Sequence, residues 1–303
     1  MNSRKIVSAL VPFYGDPADA LKLVQQLKEQ TLAADIEIIV SDDASPRPFP
    51  NLEGIKLIRR KTNGGFAANV NTAASQAGGR WLFILNSDLS LKPDFVEKAL
   101  GKAESLGTAL LSPQVLDQQG KGQYVGRKFP TTFQVTWEWL TPLARIRHTD
   151  LWHRLVGHDL ACQSGRTVAT DWLMGACMIL PAQLYRELGG MDERFFMNSE
   201  EVDLQRRLKE RGIARIFAGD LTVYHLGGAS SGSRQTRRQW VLNSRFIYAN
   251  KWQESKHLAG CLKAATYFNY AVNLVRQLKN KNLDARAIKE EELELIRTAQ
   301  QKG

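Results

Sequence analysis

Short apolar runs alternate with amphipathic stretches through the first part of the chain. Ile6 to Val11 predicts a buried strand, and the Tyr14 to Pro17 turn leads into a helix on which Leu21, Val24 and Leu27 recur at helical spacing. The unit repeats. Strands are predicted at Ile36 to Val40, Ile55 to Ile58 and Trp81 to Leu85, with a helix over Phe66 to Gln76. Near-continuous apolar strands separated by helices predict an α/β fold: a mainly parallel central sheet with helices on both faces. In such sheets ligands bind beyond the carboxyl ends of the strands, so the residues just after each strand are the place to look for chemistry.

Beyond Leu106 the pattern loosens. After a strand at Ala109 to Leu111, the segment Phe129 to Val156 mixes Trp137, Trp139, Leu140, Leu143, Ile146, Trp152 and Leu155 with Arg145, Arg147, His148 and Arg154. Regular elements return at Met174 to Leu180, at a helix near Gln183 to Leu188, in the acidic stretch Ser199 to Arg211, and at strands around Ile216 and Val223. From Gln235 the chain reads as helical. Leu258, Leu262, Ala265, Phe268, Val272 and Val275 are expected on one face, and Leu283 to Gln301 as a charged helix with a thin apolar stripe.

Composition narrows the partners. Lys and Arg outnumber Asp and Glu by 41 to 31, a formal charge of +10, which favours anionic partners such as nucleotide phosphates or acidic lipid headgroups. No nucleic-acid-binding motif is present and the cations are scattered, so no nucleic acid partner is expected. Cys162, Cys177 and Cys261 lack metal-ligand spacing and are expected as thiols, most simply as small buried apolar groups. Arg4 and Lys5 run straight into a short apolar strand rather than a secretory signal, and no apolar stretch reaches the roughly 18 residues of a spanning helix. The chain is expected to be cytoplasmic, or peripheral at the inner face of the cell membrane.

Four segments carry candidate chemistry. Asp42 and Asp43 follow a strand, where a carboxylate can accept hydrogen bonds from a base or ribose, although Asp pairs also simply form turns. Asn63 to Asn71 is a glycine-containing helix entrance whose amides can approach a diphosphate. Asn86 and Asp88 flank a turn after the next strand, and two oxygen-bearing side chains at that spacing suit Mg2+ or Mn2+. Glu200, Glu201 and Asp203 open a helix, more acid than the helix dipole requires, and a carboxylate there can serve as general base. His225 ends a strand beside glycines, where an imidazole can meet a metal or a phosphate, or be structural.

In combination and in this order, the segments resemble the family 2 inverting glycosyltransferases of the GT-A (nucleotide-diphospho-sugar transferase) fold, over roughly residues 6–250. Arg127, Lys128, Phe129 and Pro130, with the aromatic-rich segment after them, resemble the rhamnosyltransferase-like branch. The resemblance implies donor contacts from Pro12, Asp42, Asp43, Asn63, Gly65, Phe66, Asn71, Asn86 and Arg207, a metal at Asp88 and His225, and Glu201 as the base, with Glu200 and Asp203 as alternatives. Asn86 stands where the family's metal-binding turn begins with Asp. Trp172, Gly175 and Ala176, in the Trp172 to Met178 segment, correspond to the acceptor side. The implied cofactor is Mg2+ or Mn2+, the donor a dTDP- or UDP-sugar with dTDP-rhamnose first, and the acceptor a glycan or lipid-linked glycan. The implied layout is a GT-A domain over 1–250, with a nucleotide-binding half at 1–113, an acceptor-binding half at 114–250 and a helical insertion at 129–156, followed by a helical C-terminal extension over 251–303. A catalytically silent sugar-nucleotide-binding protein is the alternative of a different class; a nucleotidyltransferase is weaker because the glycine-rich basic N-terminal loop is missing. The Trp137 to Leu155 insertion and the basic residues Arg234, Arg237 and Arg238 have two readings: a peripheral membrane contact, or a helical cap or subunit interface.

Overall fold

The computed structural model describes residues 6–227, 233–253 and 257–303. Arg4, Lys5 and the Gly228, Ala229, Ser230 and Ser231 stretch after His225 lie outside the described residues, as does the side chain of Arg234. The chain folds into two compact units, one comprising residues 6–128, 161–196 and 200–227, the other 129–160, 197–199 and 233–303.

In the first unit the order is β1 (Val7–Phe13), α1 (Ala18–Lys28), β2 (Ile36–Asp42), β3 (Lys56–Arg59), α2 (Gly65–Ser75), β4 (Trp81–Leu85), β5 (Leu89–Ser90), α3 (Phe95–Leu106), β6 (Ala109–Leu116) and β7 (Gly126–Arg127). In the second unit α4 (Thr132–Trp139) and α5 (Asp150–Leu155) flank the 3-10 turn Thr141–Ile146. The chain then returns to the first unit as β8 (Thr167–Ala169), β9 (Trp172–Leu173), β10 (Cys177–Pro181), α6 (Ala182–Glu187), α7 (Glu200–Glu210) and β11 (Ala214–His225). It ends in the second unit as α8 (Arg234–Lys251), α9 (Leu258–Lys279) and α10 (Ala285–Lys302).

The large sheet runs β3-β2-β1-β4-β10-β6-β11-β5, with β8 also on β11. Pairing directions set β1, β2, β3, β4, β6 and β11 one way and β5, β8 and β10 the other, so the sheet is mainly parallel with antiparallel insertions. Every residue of β1 and β4 is buried, which requires cover on both faces and explains their unbroken apolar sequence. The two strands expected near Ile216 and Val223 are one, β11, which pairs with β6 on both sides of a register shift between Ala218 and Thr222 and takes β5 on its other edge at Tyr224 and His225.

The second unit has its own core of Val135, Leu242, Phe246, Leu258, Leu262, Leu295 and Ile296, with Trp139 packed on it. Its helices begin well. Thr131 and Gln134 form a reciprocal cap on α4, and Asp284 accepts the Ala287 N–H at 2.9 Å on α10. Trp152 is buried, and the Trp139 indole N–H donates to Thr266 Oγ1 at 2.8 Å beneath the Arg238 guanidinium. On α9 the expected apolar face is only half right: Leu258, Leu262 and Ala265 are buried, but Phe268 and Val275 are exposed, and Thr266, Asn269 and Asn273 take the inward positions.

Candidate active site

All the candidate residues fall in the first unit, and the sheet order explains how four distant segments meet. β1, β2 and β4 run side by side and in parallel, so Pro12, the Asp42–Asp43 pair and Asn86 emerge at one edge. Pro12 pairs with Ser41 inside the sheet, and both aspartates are buried.

Each aspartate organises backbone. Asp42 accepts the Ser45 and Phe49 N–H groups, both at 2.9 Å, which holds the chain as Ala44 turns through φ 56°. Asp43 accepts the Gly64 N–H at 3.0 Å and the Gly65 N–H at 2.9 Å, and meets Arg60 Nε at 2.7 Å. It thereby fixes the entrance to α2, where Asn63 Oδ1 also accepts the Gly65 N–H at 3.1 Å. Gly65 has φ 83°, and an added Cβ would lie 2.1 Å from the Phe196 carbonyl oxygen, which itself accepts the Phe66 N–H at 3.1 Å. Only glycine fits there.

Asn71 is engaged at both ends of its amide. Its Nδ2 donates to Met191 O at 2.8 Å and to Glu193 at 2.9 Å, while Oδ1 accepts the Met191 N–H at 2.9 Å and the Tyr185 hydroxyl at 2.6 Å. Burial pushes the Tyr185 phenol pKa up, keeping that hydroxyl a donor. Arg207 works on the same segment, donating to Leu188 O at 2.7 Å and Gly190 O at 2.8 Å while pairing with the fully buried Asp203 at 2.9 Å. Asn71, Asp203 and Arg207 thus brace the turn that leads to α7.

Of the three acids opening α7, Glu200 and Asp203 are buried and Glu201 is half-buried. The helix is entered through Asn198 and Ser199, both left-handed at φ 66° and 72°; such strain, roughly 1–3 kcal/mol per residue, persists only where surrounding structure enforces it. Gln205, which sequence reasoning missed, fixes the helix: it is fully buried, accepts the Leu173 N–H and donates to Leu173 O, both at 2.7 Å. This clamp on β9 lays Glu201 over Gly175, where a Cβ would be 3.3 Å from the Glu201 Cβ and Cγ. Trp172, in β9, is anchored by its indole N–H to Lys128 O at 2.9 Å and lies under the Arg127 guanidinium. One residue past Gly175, the Ala176 carbonyl accepts the Asn86 N–H at 2.9 Å. Glu201, Gly175, Ala176 and Asn86 therefore form one continuous line.

At the end of that line β11 pairs with β5, setting His225 opposite Leu89. His225 Nε2 faces Asp88 Oδ1 at 3.1 Å and Asn86 Nδ2 at 3.4 Å. Gln123, also missed, sets the ring: its Nε2 donates to His225 O at 3.4 Å, so its Oε1, 2.9 Å from Nδ1, accepts a proton carried there. Nε2 then presents a lone pair to a carboxylate, an arrangement that calls for a proton or a cation between them. A carboxylate and an imidazole this close suit a divalent metal, which Asp88 and His225 would hold together with oxygen ligands from outside the protein. Cys177 is buried in β10, and burial pushes its thiol pKa up, which suits packing rather than chemistry.

Against solved structures, the chain is similar to GalNAc-T7 with UDP, GalNAc and Mn2+, with a TM-score of 0.60 at 13% identity over 97% of this chain and 55% of that one. The shared architecture is the GT-A fold. Among curated proteins it is similar to the O-antigen biosynthesis protein RfbC of Myxococcus xanthus, 27% identical over 74% of this chain and 17% of that protein. It is also similar to the N-acetylglucosaminyl-diphospho-decaprenol L-rhamnosyltransferase of Mycobacterium tuberculosis, 25% identical over 63% of this chain and 66% of that protein. The matched region is less than two thirds of the length of each of these relatives. The signature described as Glycosyl transferase family 2 matches residues 8–166, just over half of the 303 residues, and the chain belongs to that family.

Proposed function

We propose that this protein transfers a sugar, rhamnose as first candidate, from a nucleoside diphosphate to a hydroxyl of a glycan or lipid-linked glycan, with inversion at the anomeric carbon. The observation that carries the reading is the unbroken line from Glu201 over Gly175 and Ala176 to Asn86, ending where Asp88 meets His225. It sets a carboxylate on one side and a cation-binding pair on the other, as displacement on a sugar between them requires. Two relatives named for O-antigen biosynthesis and for L-rhamnosyl transfer to a decaprenol-linked acceptor support the choice of rhamnose and of a lipid-linked glycan.

Glu201 takes the acceptor proton as the oxygen attacks, a role worth roughly 10²- to 10⁴-fold in rate. Asp43 takes up the Gly64 and Gly65 amides and Phe196 O takes up that of Phe66, so these N–H groups are not offered to a diphosphate as the sequence suggests, and Asp43 acts by setting the backbone path at the α2 entrance. Asp88 and His225 would hold Mg2+ or Mn2+, which supplies positive charge against the leaving diphosphate. Gln123 keeps the His225 proton on Nδ1 and so leaves Nε2 for the cation. An acceptor carried on a lipid brings the protein to a membrane surface, peripherally. Incubation of the purified chain with dTDP-rhamnose, UDP-sugars and a short-chain lipid-diphosphate glycan, followed by mass spectrometry of the acceptor, tests the reading. The expected product is the acceptor plus one deoxyhexose; no transfer from any donor while nucleotide binding persists would favour a silent binding protein.

A further inference from the structure

The second unit turns one of its helices outward. Along α9 the inward positions after Ala265 are Thr266, Asn269 and Asn273, and their partners are in place. Thr266 accepts from Trp139, and Asn269 accepts the Thr141 N–H at 3.1 Å and donates to Trp139 O at 3.0 Å and to the buried Glu292 at 3.3 Å. These bonds fix the rotation of the helix. The opposite side carries Tyr267, Phe268, Leu274, Val275 and Leu278, exposed at 56, 52, 44, 63 and 83%. With the exposed Ala264 and Ala271 between them, they repeat at three- and four-residue steps and cover a stripe about 120° wide at 100° per residue.

The charges around the stripe say what covers it. None of the 22 residues of α9 is acidic. Its exposed lysines, Lys263 and Lys279, sit about 80° to either side of Ala271, flanking the stripe symmetrically. A second copy of the helix laid on this face would bring the lysines of both copies to one interface, with no carboxylate on α9 to offset them. An anionic bilayer meets both features, taking the aromatic and aliphatic side chains below the headgroups and the lysines among them. No helix among the described residues is long and apolar enough to cross a membrane, so the contact is parallel to the surface.

We infer that α9 is a membrane-surface helix whose Tyr267 to Leu278 face inserts among anionic lipids. This rests on the peripheral-membrane reading above and names the element responsible. The test is co-sedimentation of the full chain with vesicles of phosphatidylcholine alone or mixed with phosphatidylglycerol. The variants are L274S/V275S/L278S, K263Q/K279Q and, as a second surface, F133S/L151S, whose side chains are the exposed apolar residues of the insertion. Circular dichroism checks each fold, and light scattering gives the mass in solution. Wild type should bind the mixed vesicles and release with salt; the α9 triple variant should bind at least about tenfold more weakly, and the lysine variant should lose most of the salt dependence. Loss in F133S/L151S with none in the triple variant overturns the role of α9 while keeping the peripheral reading. Absence of wild-type binding overturns both, and a wild-type dimer that the triple variant dissolves assigns the face to a second copy instead. Because the readout is binding, none of these outcomes depends on whether the chain transfers sugar.

Discussion

Replacing Asp43 with alanine should destabilise the first unit and loosen the donor side together, because one carboxylate serves both. The side chain is buried, accepts two backbone N–H groups at 3.0 and 2.9 Å, and lies 2.7 Å from Arg60. Arg60 is itself mostly buried and donates also to Ala68 O at 2.7 Å and to Thr72, so it cannot swing into water without breaking further bonds. Losing a charged acceptor is worth about 1.5–3 kcal/mol per hydrogen bond, and stranding one partner of a buried ion pair about 3–5 kcal/mol. The contributions overlap, so a total near 3–5 kcal/mol is expected, a large part of the roughly 5–15 kcal/mol of a typical domain. Asp43→Asn keeps one acceptor oxygen and should lose about half as much. Urea titration followed by tryptophan fluorescence and by circular dichroism reads the shift, and an Asp43→Ala, Arg60→Met cycle reads the coupling, expected at about 1–3 kcal/mol. Nucleotide affinity should fall in the same variants. A loss below about 1 kcal/mol with additive single substitutions would refute the view that Asp43 holds the α2 entrance.

Glu201→Gln should cut transfer by at least about a hundredfold while nucleotide binding, by calorimetry, stays within error; wild-type turnover would exclude Glu201 as the base. Asp88→Ala should weaken both divalent-cation and donor binding, whereas full activity of wild type in excess chelator would show that basic side chains alone stabilise the leaving group. Burial raises the pKa of Glu292 above its ordinary value of 4.5, against the hydrogen bonds from Asn269 and Thr266 and the charge of Arg238. A carboxyl whose folded pKa is raised stabilises the fold most below the unfolded value and loses that contribution as pH rises through the folded one. Thermal melts should therefore show the second unit weakening as pH climbs above 4.5, and Glu292→Gln should flatten that slope; an unchanged slope would show the carboxyl to be uninvolved.

Elements whose burial is unbroken were legible in the sequence, because β1 and β4 need no partner information to be recognised as apolar runs. The order of Asp42, Gly65, Asn86, Glu201 and His225 was legible for a similar reason: each stands next to an element boundary, where side chains leave the core. Gln205 and Gln123 were not. A glutamine in a helix or loop carries no local signal, and Gln123 meets His225 from 102 residues away. Gln205 left one trace, its position one turn after Glu201 on the inward side of an amphipathic helix. The resemblance implies a donor contact for Asn71, whereas in the structure its amide is engaged with Tyr185, Met191 and Glu193, partners that only the folded chain supplies. On α9 the error was one of period. The steps from Leu258 to Val275 average about 3.4 residues, and seventeen residues at 100° fall about 100° short of five turns, so a stripe that begins inside ends outside.

The second unit is built from three separate stretches of chain, and this limits how the protein can be cut. Val135 and Trp139 of α4 sit in the core with Leu242 and Phe246 of α8, Leu258 and Leu262 of α9, and Leu295 and Ile296 of α10. A stop codon after Asn250 would thus not trim a dispensable tail; it would strip apolar partners from α4 and α8 and leave them facing water in the remaining polypeptide. Aggregation of such a fragment would say nothing about catalysis. A minimal catalytic fragment also requires a short bridge in place of residues 129–160, and because residues 197–199, which belong to the second unit, run directly into Glu200, replacing them disturbs the start of α7.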